Sequence, residues 1–170
     1  MWNSAYMLRG PLTVDRDILQ IERDIDRLGG GAQAEELRAL GHAAETIRLF
    51  AEYERILRVR KGWYAVRWAP PMVLAAWRVR GRLGCASAAQ LYGAPVPDDG
   101  RIHVNVAKNA SRLTVPRRDR VLERAYVIHW ADDEPVRRMP GPHRRATTVT
   151  EALAQVEECS ALLQAANSNR

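Results

Sequence analysis

The sequence predicts an α+β chain in two parts, and three observations carry the prediction. Three segments with helical apolar spacing lie between residues 15 and 53 and give way to a period-two run at 56–66. Two consecutive prolines, Pro70 and Pro71, then interrupt strand and helix alike. Beyond them, short helical segments accompany two further period-two runs, Ile102–Val106 and Tyr126–Trp130.

Asp15–Leu28 reads as the first helix, because Ile18, Ile21, Ile25 and Leu28 recur at spacings of three and four and share one stripe. Thr13 is placed to cap it, and Gly29-Gly30-Gly31 ends it. A second helix is expected from Gln33 to Leu40, with Ala34, Leu37 and Leu40 turned inward. Gly41 supplies a tight turn. A third helix is expected from Ala43 to Tyr53, with Ala44, Ile47, Phe50 and Ala51 toward the core. The alternation in Ile56-Leu57-Arg58-Val59-Arg60 suits a half-buried strand, Lys61-Gly62 a hairpin turn, and Trp63–Val66 the returning strand. Helix, helix, glycine turn, helix and basic hairpin follow one another as in a winged helix-turn-helix, here spanning residues 12–67.

The second part, a small α+β domain over residues 72–166, opens on a helix from Met72 to Val79. Ser87 reads as the cap of a short helix, Ala88–Tyr92, closed by Gly93. Pro95, Pro97, Asp98, Asp99 and Gly100 form a loop before the first strand, and Pro135–Arg145 a connector after the second. Thr150 is expected to cap a last helix through about Ala165, with a frayed tail at Asn167–Arg170.

Hydrophobic residues make up 46% of the 170, enough to build a core and to exclude wholesale disorder. No apolar run is long enough to span a bilayer, and Met1–Pro11 lacks the apolar segment of a signal peptide, so a cytoplasmic protein without membrane contact is expected. Cys85 and Cys159 belong to no Cys-x-x-Cys pair and read as reduced core residues. Only Lys61 and Lys108 of the 26 basic residues are lysines, a bias typical of GC-rich genomes.

The net charge of +6 is unevenly spread. Residues 1–54 sum to −4, whereas residues 55–82 carry 8 basic and no acidic side chains. Residues 108–145 contribute a further +5. Charge focused in this way attracts a polyanion more strongly than the same charge dispersed.

Signals for catalysis are weak. There is no phosphate-binding glycine loop, nucleophile elbow or closely spaced Cys/His pattern, so no enzymatic activity, catalytic residue, cofactor or metal is expected. His103 and His129 each lie opposite the apolar face of a period-two strand, and their imidazoles could sit side by side if those strands paired. No Asp or Glu falls in either strand, so they read as surface or interface histidines. Trp63, Tyr64 and Trp68 interleave with Arg60, Lys61 and Arg67, a pattern that also suits base stacking, although aromatic residues in a wing more often anchor it.

The expected partner is therefore a double-stranded DNA operator. The candidate DNA-contacting residues are His42, Thr46 and Arg48 around the third helix, with Arg55, Arg58, Arg60, Lys61 and Arg67 on and beside the hairpin. Glu45 and Glu52 share the outward face of that helix, which shifts affinity toward the wing. A homodimer formed by the region after Pro71 would suit a two-fold operator. In the competing reading, the second basic stretch (Arg117, Arg118, Arg120, Arg124, Arg137, Arg138, Arg144 and Arg145) neutralises an acidic protein such as a toxin, with little DNA binding of its own.

Several ordered blocks also carry a resemblance. Arg60-Lys61-Gly62-Trp63-Tyr64-Ala65 resembles the end of the winged-helix domain in AbiEi-family antitoxins of type IV toxin–antitoxin systems. Gly81-Arg82-Leu83-Gly84-Cys85-Ala86-Ser87-Ala88, Leu91-Tyr92-Gly93 and Ile102–Val106 resemble the segment that follows it in actinobacterial relatives, and Val127-Ile128-His129-Trp130 and Thr150-Glu151-Ala152-Leu153 continue the pattern. The resemblance implies DNA binding for autorepression, with a second domain for oligomerisation or partner contact. An antitoxin-type autorepressor and a phage or prophage immunity-type repressor both fit. Many of those relatives continue into a nuclease-like domain, for which the residues after Leu163 leave no room.

Overall fold

The computed structural model describes residues 11–168 except 111, 112, 133 and 140, and side chains within residues 16–160. The readings made for Met1–Gly10 and for the last two residues of the tail lie outside the described residues. The fold is α+β, and the chain divides into two compact units, Met1–Trp68 and Ala69–Arg170. No helix among the described residues is long and apolar enough to cross a membrane.

In the first unit, α1 (Pro11–Arg27) begins four residues before the expected start. Proline suits a first helical turn, where its missing N–H would have no partner anyway, so Thr13 lies inside the helix instead of capping it. Ile21 and Ile25 are fully buried. The glycine triplet leads into a strand with no visible period of its own, β1 (Gly31–Gln33), which sequence patterning does not reveal. Next, α2 (Ala34–Ala39) is capped as the Gln33 N–H donates to Glu36 Oε2 at 2.8 Å. Leu40 lies past its end and is 53% exposed, not inward-facing as expected. Gly41 adopts φ +94°, which lets the chain reverse before α3 (Ala44–Glu52). Ile47 and Phe50 anchor α3 in the core, whereas Ala44 is exposed, contrary to its expected inward position. The hairpin β2 (Leu57–Arg60) and β3 (Trp63–Ala65) follows, and β3 lies between β1 and β2, antiparallel to both. A register shift between Arg58 and Arg60 interrupts the alternation of β2. Trp63, at 0% exposure, ties β3 to the core.

In the second unit, α4 (Pro71–Arg78) buries Val73, Ala75, Ala76 and Trp77. The indole N–H of Trp77 donates to the Arg144 carbonyl at 2.7 Å. The short β4 (Arg82–Leu83) pairs antiparallel with β5 (Arg101–Ala107). Between them, α5 (Cys85–Leu91) starts three residues before the expected Ala88. Ser87 therefore lies within the helix as a buried residue, and its Oγ accepts the His103 N–H at 2.9 Å.

Strand β6 (Ala125–Ala131) runs parallel to β5 in unbroken register from Arg101↔Ala125 to Ala107↔Ala131. Parallel neighbours require a crossover, which Asp119 organises. Its Oδ1 accepts the N–H groups of Val121 and Leu122, and its Oδ2 accepts the Tyr126 hydroxyl at 2.7 Å and Arg78 at 2.8 Å. After two 3-10 turns, Val136–Arg138 and Gly141–Arg144, α6 (Val149–Ser168) closes the unit. Thr148, not Thr150, caps it: Thr148 N–H donates to Glu151 Oε2 at 3.0 Å and Glu151 N–H to Thr148 Oγ1 at 3.3 Å.

Candidate nucleic-acid interface

Helix α3 and the β2–β3 hairpin determine where the cations of the first unit project. Arg48, on the outward face of α3, is exposed and lies 3.5 Å from Glu52 one turn later. At two-thirds exposure for the Arg48 side chain, water screens such a pair and a stronger anion can displace it. Thr46 and Glu45 are half-buried beside it. Arg55, at the foot of the hairpin, is held by its backbone N–H to the Phe50 carbonyl at 2.8 Å, and its side chain is exposed. Arg58 on β2, Lys61 at the turn and Arg67 after β3 are also exposed. Among the described residues these four make no ion pair. Gly62, with φ +72°, lets the turn close so tightly.

Two candidates are placed differently. The Arg60 guanidinium lies over the Trp63 ring, 4.9 Å from its centroid, and the residue is half-buried. This cation–π contact braces the hairpin. His42 turns inward: its Nε2 is 2.9 Å from Asp24 Oδ2, and both side chains are about nine-tenths buried. The pair fixes the α2–α3 turn against α1 and takes His42 out of the outward-facing set. Burial alone would raise the Asp24 carboxyl, but hydrogen bonds with His42 and Gln20 outweigh it and hold the group below its ordinary value. Trp63 is too deeply buried to stack on a base, while Trp68 is 58% exposed.

The second basic stretch offers less free charge than its composition suggests. Arg144 is buried, with its Nε–H donated to the Met139 carbonyl. Arg124 forms a two-pronged pair with Asp98 at 2.9 and 2.7 Å. Arg118 donates to the Glu123 carbonyl at 3.2 Å, and Arg138 lies 3.5 Å from Glu134. Arg117, Arg120 and Arg137 are exposed.

The strand histidines are not the surface residues that their pattern suggests. His103 is 3% exposed and His129 half-buried, because α5 and α6 cover this end of the sheet. The rings stack with centroids 5.2 Å apart, and His103 Nδ1 lies 2.9 Å from His129 Nε2. The missing carboxylate comes from the loop before β5: Asp99 Oδ2 is 3.0 Å from His103 Nε2. Cys85 and Cys159, remote in sequence, converge on the same place. Burial, reinforced by Cys159, pushes the Cys85 thiol up to about 11, and burial next to His103 holds His129 below its ordinary value. The meeting of the two histidines follows from the strand pattern, whereas the convergence of Asp99, Cys85 and Cys159 on them has no local signal, because each arrives on a different element.

Comparison with protein-family models and with curated proteins returns no match for this chain.

Proposed function

We propose that residues 12–67 are a winged helix-turn-helix that binds double-stranded DNA, and that the chain is a transcriptional repressor of antitoxin or phage-immunity type. The observation that carries this reading is the exposed set Arg55, Arg58, Lys61 and Arg67 on and beside a hairpin that directly follows α3. A helix presented beyond a glycine turn suits a major groove about 12 Å wide, and hairpin cations suit the phosphates beside it. Arg48 is the base-reading candidate, since a guanidinium can bridge guanine O6 and N7 once it releases Glu52. In this reading the second unit serves self-association, and it offers an acidic partner a depleted basic face.

Selection of full-length protein against a random duplex pool tests the proposal, and a pool that enriches no motif at modest salt rejects it. Two variants then separate the roles. Arg48→Ala should cost about 1–3 kcal/mol at one operator position and relax discrimination there. Arg58→Ala with Lys61→Ala should weaken operator and random DNA alike and flatten the salt dependence by roughly two units, about 0.9 per lost phosphate contact. Loss of specificity in the hairpin variant with Arg48→Ala unaffected would make the wing the reader. An enriched acidic protein partner with no DNA motif would favour the interaction-module reading.

A further inference from the structure

We infer that Cys85, His103, His129 and Cys159 hold one structural Zn²⁺ ion in a closed Cys₂His₂ site within the second unit. Each residue offers one ligand atom, and the four atoms all lie within 4.8 Å of one another. A tetrahedral zinc shell, with Zn–S about 2.3 Å and Zn–N about 2.0–2.1 Å, needs ligand atoms roughly 3.3–3.8 Å apart. Closing the cluster takes only small side-chain adjustments, and the imidazole nitrogens at 2.9 Å would spread slightly. Four separate elements supply the ligands: the first residue of α5, one residue each from β5 and β6, and the middle of α6.

The donor chemistry selects the metal. Two thiolates and two imidazoles suit zinc, whereas calcium and magnesium require oxygen. Binding forms two Zn–S and two Zn–N bonds, and the two thiol protons leave to solvent. The His129 proton moves from Nε2 to Nδ1, freeing the lone pair that faces His103. Two thiolates balance the +2 charge, so the site can be buried without net charge. Four protein ligands complete a tetrahedral shell, which fits a structural role and not catalysis.

Features outside the ligand set point the same way. The Asp99 carboxylate engages His103 Nε2 at 3.0 Å, the carboxylate–histidine arrangement that orients a metal-bound imidazole and leaves Nδ1 for the metal. Cys85 is held at φ +46°, a strained backbone for a residue with a side chain, and its N–H donates to Gln155 Oε1 at 2.8 Å on α6. A Cβ at Gly84 would overlap the Asn105 side chain, which would have to move to admit any other residue beside Cys85. The competing use of this geometry is a Cys85–Cys159 disulfide.

Full-length protein purified under reducing conditions, freed of any affinity tag and assayed by elemental analysis should carry one zinc per chain. Cobalt substitution should give thiolate-to-cobalt charge-transfer absorption and the intense visible bands of a tetrahedral sulfur–nitrogen site. Cys85→Ser with Cys159→Ser should abolish both. Because that variant can also fail to fold, Asp99→Asn provides the second test. Its position is on an exposed loop, and it should weaken zinc retention against a competing chelator by about 10–100-fold. A wild-type chain that carries no zinc and shows no thiolate–cobalt band overturns the inference. So does a Cys85–Cys159 disulfide in freshly isolated protein, or full zinc occupancy in the double-serine variant.

Discussion

The two units keep their polar groups in opposite places. Among the described residues the interior of the first unit holds one buried polar pair, Asp24 with His42. The second holds Arg82, Ser87, His103, Asn105, Asp119, Arg144 and Thr147. The first unit is thus an apolar core (Ile21, Ile25, Leu37, Ile47, Phe50, Ile56 and Trp63) with its charge displayed on the hairpin. Hydrophobic burial is non-directional and keeps its strength whatever is bound. A buried polar network is stabilising only while every member is satisfied. The contrast is between a unit held chiefly by non-directional apolar packing and one that also depends on directional polar contacts in its interior.

The largest expected effect breaks that contrast outright. If zinc completes the interior of the second unit, excess chelator should sharply raise amide exchange across α5, β5, β6 and α6, since zinc binding free energy is in effect folding free energy. Exchange across α1 to β3 should stay unchanged. Hydrogen-exchange mass spectrometry of the full chain, with and without chelator, measures both halves at once. Equal loosening of the two units would mean that they share one cooperative core, and the contrast would fail.

A second, smaller effect needs no metal. Burial works to raise the Asp119 carboxyl, but the N–H of Leu122, the Tyr126 hydroxyl, the N–H of Val121 and Arg78 outweigh it and hold the group below its ordinary value. Asp119→Ala removes all four partners and leaves a half-buried cation. Breaking a buried pair costs about 3–5 kcal/mol, and the one-third exposure of the Arg78 side chain moves the expectation to the lower end. Chemical denaturation of the full chain should show that loss in the transition of the second unit alone. A loss below about 1 kcal/mol would mean that the crossover is held by something other than Asp119.

The same contrast explains which parts were legible in the sequence. Where one face of an element is buried and the other wet, spacing reveals the fold, and Ile21, Ile25, Ile47 and Phe50 stand at the spacings that a helix core requires. The three-residue β1 left no such trace, because a period cannot be read over so few positions. In the second unit the rule that polar means outward failed. Strand β5 is buried along both faces from Ile102 to Ala107, so His103 and Asn105 looked like solvent-facing positions and are not. Ser87 carried a capping signal but serves as a hydrogen-bond acceptor inside the unit. Cys85 and Cys159 had no local spacing to announce them, since only the packing of α5 against α6 brings them together. Cations on the hairpin were legible as charge, but which of them project outward was not. That required the Arg60–Trp63 contact, just as the Asp24–His42 pair was needed to show that His42 turns inward from the α2–α3 turn.

The smallest effect concerns the single polar exception in the first unit. Asp24 has a folded pKa held below its unfolded value of about 3.9. A depressed carboxylate contributes stability that is fully present above the unfolded value and is lost as pH falls through the folded one. The contribution is therefore constant from neutral pH down to about 5 and disappears below about 4. In Asp24→Asn the hydrogen bond to His42 can persist, but no proton is linked to folding at that position. The difference in stability between wild type and Asp24→Asn should shrink as pH falls through the folded pKa of Asp24. Taking the difference cancels whatever acid does to the cysteine–histidine cluster of the second unit. His42→Ala should cost about 1.5–3 kcal/mol, since the buried Asp24 carboxylate loses a charge-assisted hydrogen bond and keeps only Gln20 and Arg27, and it should loosen the α2–α3 turn without unfolding the unit. Amide exchange at the His42 N–H, which donates to the Leu37 carbonyl at 3.0 Å, should therefore gain an acid-dependent opening in the wild type that Asp24→Asn lacks. If wild type and Asp24→Asn lose stability in parallel below about pH 4, the Asp24–His42 pair contributes nothing to the acid limb, and the first unit is held by its apolar core alone.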